Sequence, residues 1–169
     1  MVQVFTGNGK GKTTAALGQA LRAAGHDWRV LVIQFMKGDP DYGELTAIRK
    51  VPSITVIQSG LPTFVEKGNP SPEDLRLAEE GIRKAEQAVA SGQYRMVVLD
   101  EINVAVDYGL IPPARVMKLI RDCPRDIELV LTGRYARPDV IDAADLVSEI
   151  REVKHPYQKG IVGREGIDR

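Results

Sequence analysis

The residues best suited to chemistry lie near the start of the chain, in the segment Gly7-Asn8-Gly9-Lys10-Gly11-Lys12-Thr13-Thr14. Glycines allow backbone conformations that turn successive N–H groups onto phosphate oxygens. A helix beginning here would add the partial positive charge of its N-terminus, Lys12 a full charge, and the Thr13 hydroxyl a ligand for Mg²⁺. The segment predicts a socket for a polyphosphate; the alternative is a glycine-rich turn before an ordinary helix.

This segment departs from the common phosphate-loop pattern G-x-x-x-x-G-K-[ST] at its first position. The pattern places a glycine at position 6, where this chain has Thr6, and the loop instead offers Gly7, Gly9 and Gly11 in alternation. We therefore predict a variant phosphate loop.

Two carboxylates, Asp100 and Glu101, follow the apolar run Met96–Leu99. Mg²⁺ prefers oxygen ligands, and a triphosphate alone leaves its coordination incomplete. In phosphate-loop proteins a buried strand commonly ends in an acid that holds this ion. Many strands end in acids, so the pair indicates a metal site only in combination with the phosphate loop.

Arg134 follows another apolar run, in Leu131-Thr132-Gly133-Arg134. At the carboxyl end of a strand its guanidinium would reach phosphate oxygens. The alternative is a surface arginine near Asp139. A lone histidine, His155, lies further on, and its surroundings do not predict a chemical role.

Short apolar runs alternate with helical stretches along the chain. The strands are predicted at Val2–Thr6, Val30–Phe35, Ile54–Gln58, Met96–Leu99, Ile127–Thr132 and Leu146–Val153. The helices are predicted at Lys12–Ala24, at Glu73–Ser91, after Pro112-Pro113 through Ile120, and at about Pro138–Ala144. This alternation predicts an α/β fold with a mostly parallel central sheet of about six strands, a P-loop NTPase-like (RecA-like) three-layer fold.

Two stretches, Met36–Tyr42 and Ser59–Pro72, carry glycine and proline turn signals and fit neither helix nor strand. Both follow predicted strands, and loops at the carboxyl ends of parallel strands form the ligand crevice. We expect them to be substrate loops; the alternative is that they only connect elements.

Composition sets the broad class. The 169 residues fit one domain, 1–169, and 43% hydrophobic with 27% charged residues is typical of soluble globular proteins. A net charge of zero gives no support to nucleic-acid binding by bulk electrostatics. The single cysteine, Cys123, favours the cytoplasm, and no apolar run is long enough to span a membrane.

The chain resembles the P-loop class of ATP:corrinoid adenosyltransferases over nearly its whole length. The similar blocks, in order, are Gly7–Gly18, Ile33–Gly38, Leu99–Ile102, Leu131–Arg134, Ala144–Glu149, and Lys154–Tyr157 with Lys159–Ile161 and Gly166–Asp168. The resemblance implies a transferase in which the Co(I) of a corrinoid attacks the 5′ carbon of ATP. Triphosphate leaves, and the product is the adenosylated corrinoid, the coenzyme form of vitamin B12.

The same resemblance implies roles for individual residues. ATP would be bound, in an unusual orientation, by Thr6, Gly7, Asn8, Gly9, Lys10, Gly11, Lys12, Thr13 and Thr14. Lys12 and Arg134 would act catalytically on the phosphates, and Mg²⁺ (or Mn²⁺) would be held by Thr13, Glu101 and Asp100. An apolar loop should cover the flat corrin, with Phe35, Met36, Phe64 and Val65 as candidates.

The resemblance further implies partners: an external electron donor, a flavoprotein or similar, that reduces Co(II), and a second copy of the chain in a homodimer.

The chain departs from the family pattern at two places. Relatives carry a tryptophan beside the loop phenylalanine, where this chain has Val65, and the only tryptophan is Trp28. Relatives also often carry an N-terminal extension, whereas this chain begins at the first strand.

Two other functions remain open at the level of sequence. A generic P-loop kinase or ATPase would use the same socket for phosphoryl transfer, although no lid signature accompanies it. A RecA-like ATPase acting on nucleic acid would suit the order of strands, but the chain has no arms rich in lysine and arginine.

Overall fold

A six-stranded sheet forms the centre of the molecule in a computed structural model that describes residues 1–161 and 163–168. The strands are Val2–Thr6 (β1), Val30–Phe35 (β2), Ile54–Ser59 (β3), Met96–Asp100 (β4), Glu128–Thr132 (β5) and Leu146–Glu149 (β6). They lie in the order β3-β2-β4-β5-β1-β6, and every neighbouring pair is parallel. The predicted α/β class with a parallel sheet is confirmed.

Helices connect the strands. They are Lys12–Ala24 (α1), Gly43–Ile48 (α2), Pro72–Ser91 (α3), Ile102–Asp107 (α4), Pro113–Asp122 (α5) and Pro138–Ala143 (α6), and a short 3₁₀ helix spans Pro156–Lys159. The two longest, α1 and α3, were predicted because each apolar helical stretch ends at a glycine, Gly25 and Gly92. Ser71 and Asp74 form a capping box at the start of α3, and Gly92 ends this helix with a left-handed backbone.

Two apolar cores cover the two faces of the sheet and make three layers. One face packs against α1, through Ala16 and Ala20. The other packs against α3, α4, α5 and α6, through residues such as Ile82, Ile102 and Val116. Because both faces of the central strands are covered, their sequences read as nearly continuous apolar runs.

The strand order fixes which loops can meet. The strand β5 lies between β1, which leads into the phosphate loop, and β4, which ends in Asp100. Neighbouring strands lie about 4.8 Å apart, so roughly 10 Å separates β1 from β4. A crevice therefore opens at the carboxyl ends of the strands, bordered by the ends of β1, β2, β4 and β5.

The last strand ends earlier than predicted, at Glu149 instead of Val153. The Ile150 N–H donates to Thr6 O at 2.8 Å, and Ile150 O accepts from Gly9 N at 2.7 Å. The chain beyond β6 therefore turns onto the phosphate loop instead of extending the sheet.

Candidate functional site

The phosphate loop runs from Gly7 to Gly11 and leads directly into α1. Gly7 (φ 96°) and Gly11 (φ 119°) have left-handed backbones that favour glycine. A Cβ on Gly7 would lie 2.5 Å from Ile150 O, and one on Gly9 would lie 2.8 Å from the Arg151 backbone. Gly7 and Gly9 thus allow the segment after β6 to pack against the loop, a role that the sequence motif does not reveal.

Lys12 lies beneath the loop, where its Nζ donates to Gly7 O (2.8 Å) and Gly9 O (2.7 Å). Lys12 is only 7% exposed to solvent. Burial lowers the pKa of the Lys12 ammonium; attraction to Glu101 opposes this change, and repulsion from Arg134 adds to it. Lys12 thereby stabilises the conformation of the loop and places its ammonium group at the inner face of the loop.

Three donors from different elements converge on Asp100, which is 1% exposed. The hydroxyls of Thr13 (2.9 Å) and Thr132 (2.7 Å) donate to Oδ1, and Lys37 Nζ donates to Oδ2 at 2.8 Å. Thr132 Oγ1 also accepts from the Glu101 N–H at 2.9 Å. The end of β5 therefore orients both acids at the end of β4.

Glu101 has a left-handed backbone (φ 61°) at the start of α4, which turns its side chain into the cleft. Burial raises the pKa of the Glu101 carboxyl, and repulsion from Asp100 raises it further. The cations Lys37, Lys12 and Arg134 oppose this rise.

The residues at this point fit a divalent cation by the chemistry of their donors. The Thr13 hydroxyl and the carboxylates of Asp100 and Glu101 are hard oxygen ligands of the kind Mg²⁺ prefers. The two adjacent carboxylates also concentrate negative charge in a shielded place. In the described residues no group of three or more His, Cys, Asp or Glu side chains could hold a metal alone. Such an ion would therefore need phosphate or water oxygens as well.

A cleft of about 910 Å³ lies above these groups. Its walls include Asn8 through Thr14, Lys37, Glu101 and Arg134, so most of the predicted nucleotide residues come together. Thr6 and Gly7 are not among the residues that line the cleft, and Thr6 Oγ1 accepts from the Ala136 N–H at 3.4 Å. The cleft has the size of a nucleotide site.

Arg134 lies exposed at the rim of this cleft, after Gly133. The left-handed backbone of Gly133 (φ 127°) packs against Asn103 and Val104. The chain thus leaves β5 toward the cleft, as the position of Arg134 at a strand end predicted.

Another cation of the loop, Lys10, pairs with Asp168 at 2.9 Å. Hydrogen bonds from Arg164 and Lys10 hold the pKa of the Asp168 carboxyl well below its usual range. Gly166, Ile167 and Asp168 line the cleft together with His155. The described part of the C-terminal segment therefore packs beside the phosphate loop.

The four predicted corrinoid residues have different environments. Phe64 is fully exposed, while Met36 and Val65 are half-buried against the core. The expectation for Phe35 is wrong: its ring is 0% exposed and lies in the core beside Gly81, because β2 is covered on both faces. Only the other three remain candidates.

Lys67 anchors the loop that carries Phe64. Its Nζ lies 2.5 Å from Asp107 Oδ2, and the rings of Tyr108 and Tyr135 have their centres 5.6 and 5.5 Å from it. Both tyrosines line the cleft. The loop that contains Phe64 is thus held, through Lys67, against Tyr108 and Tyr135 at the edge of the cleft.

Three groups of this site escaped prediction. Lys37 and Thr132 sit at the ends of β2 and β5, and a polar residue ending an apolar run was the available signal. The tyrosines at the cleft, Tyr42, Tyr108 and Tyr135, gave no signal because they are scattered along the sequence.

Comparison with known proteins shows the family to which this chain is similar. Residues 1–168 match the family described as ATP:corrinoid adenosyltransferase BtuR/CobO/CobP. A corrinoid adenosyltransferase of Pseudomonas aeruginosa is 38% identical over 98% of this chain and 81% of its own length. One from Escherichia coli K12 is 36% identical over 99% and 85%.

A solved structure shares the fold. The KaiC-like protein of Pyrococcus horikoshii superposes with a TM-score of 0.58 at 16% identity, covering 88% of this chain and 70% of that one. The architecture is thus the P-loop NTPase-like, RecA-like three-layer fold that was predicted.

Proposed function

The chain belongs to the ATP:corrinoid adenosyltransferase family, which adenosylates corrinoids with ATP, and we propose how the residues of this cleft carry out that transfer. The observation that carries the proposal is that Lys12 and Thr13 line one cleft, where Lys12 donates to carbonyls of the phosphate loop and Thr13 donates to Asp100. In the transfer, the Co(I) of the corrinoid forms a bond to C5′ of ATP. The C5′–O bond breaks, and its electron pair leaves with the triphosphate.

The phosphate loop holds the leaving group. The first N–H groups of α1, at Lys12, Thr13 and Thr14, have no acceptor four residues back within a helix, so they are suited to phosphate oxygens. Lys12 and Arg134, which both line the cleft, add positive charge. Because negative charge accumulates on the triphosphate as the bond breaks, cations and N–H donors fixed there stabilise the transition state.

Thr13 and Glu101, with Asp100 beside them, would hold Mg²⁺ or Mn²⁺. When bound, the ion offsets charge on the leaving triphosphate. Asp100 holds the Thr13 hydroxyl in place by a 2.9 Å hydrogen bond. No general base is required, because Co(I) is already a strong nucleophile.

The corrin is flat and largely apolar, and we assign its contact surface to the loop that carries Phe64. The exposed Phe64 ring would lie on the macrocycle, with Met36 and Val65 supporting the base of the loop. Tyr108 and Tyr135 stand at the same rim of the cleft.

The remaining partners are also proposals. The reaction needs a one-electron donor that reduces Co(II), and a flavoprotein would serve. We propose that residues 1–169 act as one catalytic unit in a cytoplasmic homodimer. The helices of the described residues include none that is long and apolar enough to cross a membrane.

Product identity tests the proposed function. The protein is incubated with ATP, Mg²⁺ and a chemically reduced corrinoid, and products are separated by chromatography. We expect intact triphosphate and adenosylated corrinoid in equal amounts. ADP and phosphate as the main products would instead indicate a kinase or ATPase.

A further inference from the structure

The backbone on either side of Lys37 fixes the position of this residue in the site. Met36, which precedes it, has a left-handed backbone (φ 58°) that turns the chain at the end of β2. A Cβ on Gly38 would lie 2.3 Å from Gly60 O, and one on Gly60 would lie 2.5 Å from Lys37 N. The two loops therefore touch backbone to backbone, and this contact fixes where the Lys37 side chain begins.

The Lys37 ammonium contacts two groups assigned above to a metal ion. Its Nζ lies 2.8 Å from Asp100 Oδ2 and 3.4 Å from Thr13 Oγ1, with the Tyr42 ring centre at 5.8 Å. The Lys37 side chain is 18% exposed, and the Asp100 side chain 1%. A monovalent cation thus already neutralises the carboxylate beside the metal-binding hydroxyl.

We propose that Lys37 is a resident counter-ion that suppresses metal binding in the absence of nucleotide and transfers to the triphosphate when the metal and ATP arrive together. An ammonium and a divalent cation at the same carboxylate repel each other strongly in a shielded site. The polyphosphate removes this conflict, because it carries enough negative charge for both cations and offers the ammonium new acceptors. The inference rests on the proposed roles of Thr13 and Asp100.

Two binding measurements with Lys37→Met test this role. Mn²⁺ binding without nucleotide is followed by electron paramagnetic resonance, and binding of inorganic triphosphate without metal is followed by calorimetry. We expect Mn²⁺ to bind the variant on the order of tenfold more tightly than the wild type, and triphosphate on the order of tenfold more weakly. These opposite changes separate the proposal from a merely structural role, which would weaken both.

The control is Lys84→Met, which removes an exposed charge from α3 and should leave both affinities unchanged. Lys37→Gln keeps a donor for Asp100 without the charge, so it preserves folding if Lys37→Met does not, and should show the same opposite changes. In Lys37→Met/Asp100→Asn the gain in Mn²⁺ affinity should disappear.

Failure of this inference differs from failure of the metal assignment. If Mg²⁺ tightens ATP binding to the wild type but neither Lys37 variant binds Mn²⁺ more tightly, the resident counter-ion is overturned alone. If Mg²⁺ has no effect on ATP binding to the wild type, the assignment of Thr13 and Asp100 falls, and the inference falls with it.

Discussion

Asp100 is the residue on which the charges of the site are balanced. Hydroxyls from α1 and β5 and an ammonium from the loop after β2 all donate to it. A buried carboxylate is costly unless it is paired and hydrogen-bonded, so these three donors offset the cost of burying the Asp100 side chain. The site is therefore largely organised before a ligand enters, which reduces the ordering required on binding.

Replacing Lys12 with alanine should nearly abolish turnover. The substitution removes the cation beneath the phosphate loop and its two bonds to loop carbonyls. We expect kcat/KM to fall on the order of 100-fold or more, as for loss of a fixed donor to developing negative charge. Chromatographic assay of adenosylated corrinoid measures the change. Wild-type activity in this variant would refute the assignment of the phosphate site.

Thr132→Val should destabilise the protein and weaken its response to Mg²⁺. Valine has nearly the same shape, but it removes the donor to Asp100 and the acceptor for the Glu101 N–H. Leaving such buried groups unpaired costs about 1–3 kcal/mol of unfolding free energy. Urea denaturation measures this loss. Thr132→Ser retains the hydroxyl and should recover most of the stability; equal losses in both would argue against the hydrogen bonds.

At the scale of elements, strands were predicted more accurately than short helices. The central strands are buried on both faces, so their apolar runs stand out in the sequence. Helices α2 and α4 escaped prediction because six residues are too few for a clear helical period, and neither begins at a proline as the equally short α6 does at Pro138. The end of β6 was missed because its partner β1 ends at Thr6, after which Ile150 O accepts from the Gly9 N–H of the phosphate loop.

The same substitution in two helices should have opposite effects on stability. In α3, a Cβ on Gly81 would lie 2.3 Å from Ser59 Oγ and 2.7 Å from the Phe35 ring, whereas in α1 a Cβ on Gly18 would meet no atom within 4 Å. Gly18→Ala should raise the free energy of unfolding by about 0.5–1 kcal/mol, because alanine has the higher helix propensity. Gly81→Ala should lower it by about 1–3 kcal/mol, because the added methyl group overpacks the contact with the sheet.

Thermal unfolding of the two glycine variants measures these changes. The contacts of Gly81 reach the ends of β2 and β3, from which both predicted substrate loops start. Stabilisation by Gly81→Ala would mean that α3 can move away from the sheet at little cost, and that it does not fix these loops.

Phe64→Ala should slow adenosylation more when the reaction starts from Co(II) corrinoid than when it starts from pre-reduced Co(I). The exposed ring is proposed to lie on the corrin and to assist the reduction of Co(II), a step that pre-reduced Co(I) does not need. Parallel assays with chemical and enzymatic reduction measure the ratio of the two rates. Equal slowing in both assays would assign Phe64 to packing alone.

At the scale of the whole molecule, the site exists because the sheet order brings distant segments together. The phosphate loop and the acid pair were predicted from sequence, since each is a local pattern at the end of a strand. Lys37 and Thr132 were not, because their importance depends on β2 and β5 lying on either side of β4. A sequence pattern shows where a strand ends, but it does not show which other strand lies beside it in the sheet.

Because the cleft joins residues from both halves of the chain, nucleotide binding should stabilise the entire fold. MgATP at 100 times its dissociation constant adds about 2.7 kcal/mol to the unfolding free energy. For a chain of this size we expect the unfolding temperature to rise by roughly 5–10 °C. Differential scanning calorimetry with and without MgATP measures the shift.

The site also predicts how the rise in unfolding temperature caused by MgATP should change with pH. Burial and Asp100 raise the pKa of Glu101 in the folded protein, so Glu101 itself favours folding at low pH and loses that contribution as pH rises through its folded pKa. A divalent ion requires the ionised carboxylate. The MgATP-dependent shift should therefore grow as pH rises from below the ordinary glutamate range, whereas Glu101→Gln should flatten the profile. A profile equally steep in that variant would show that titration of Glu101 does not control the binding of MgATP.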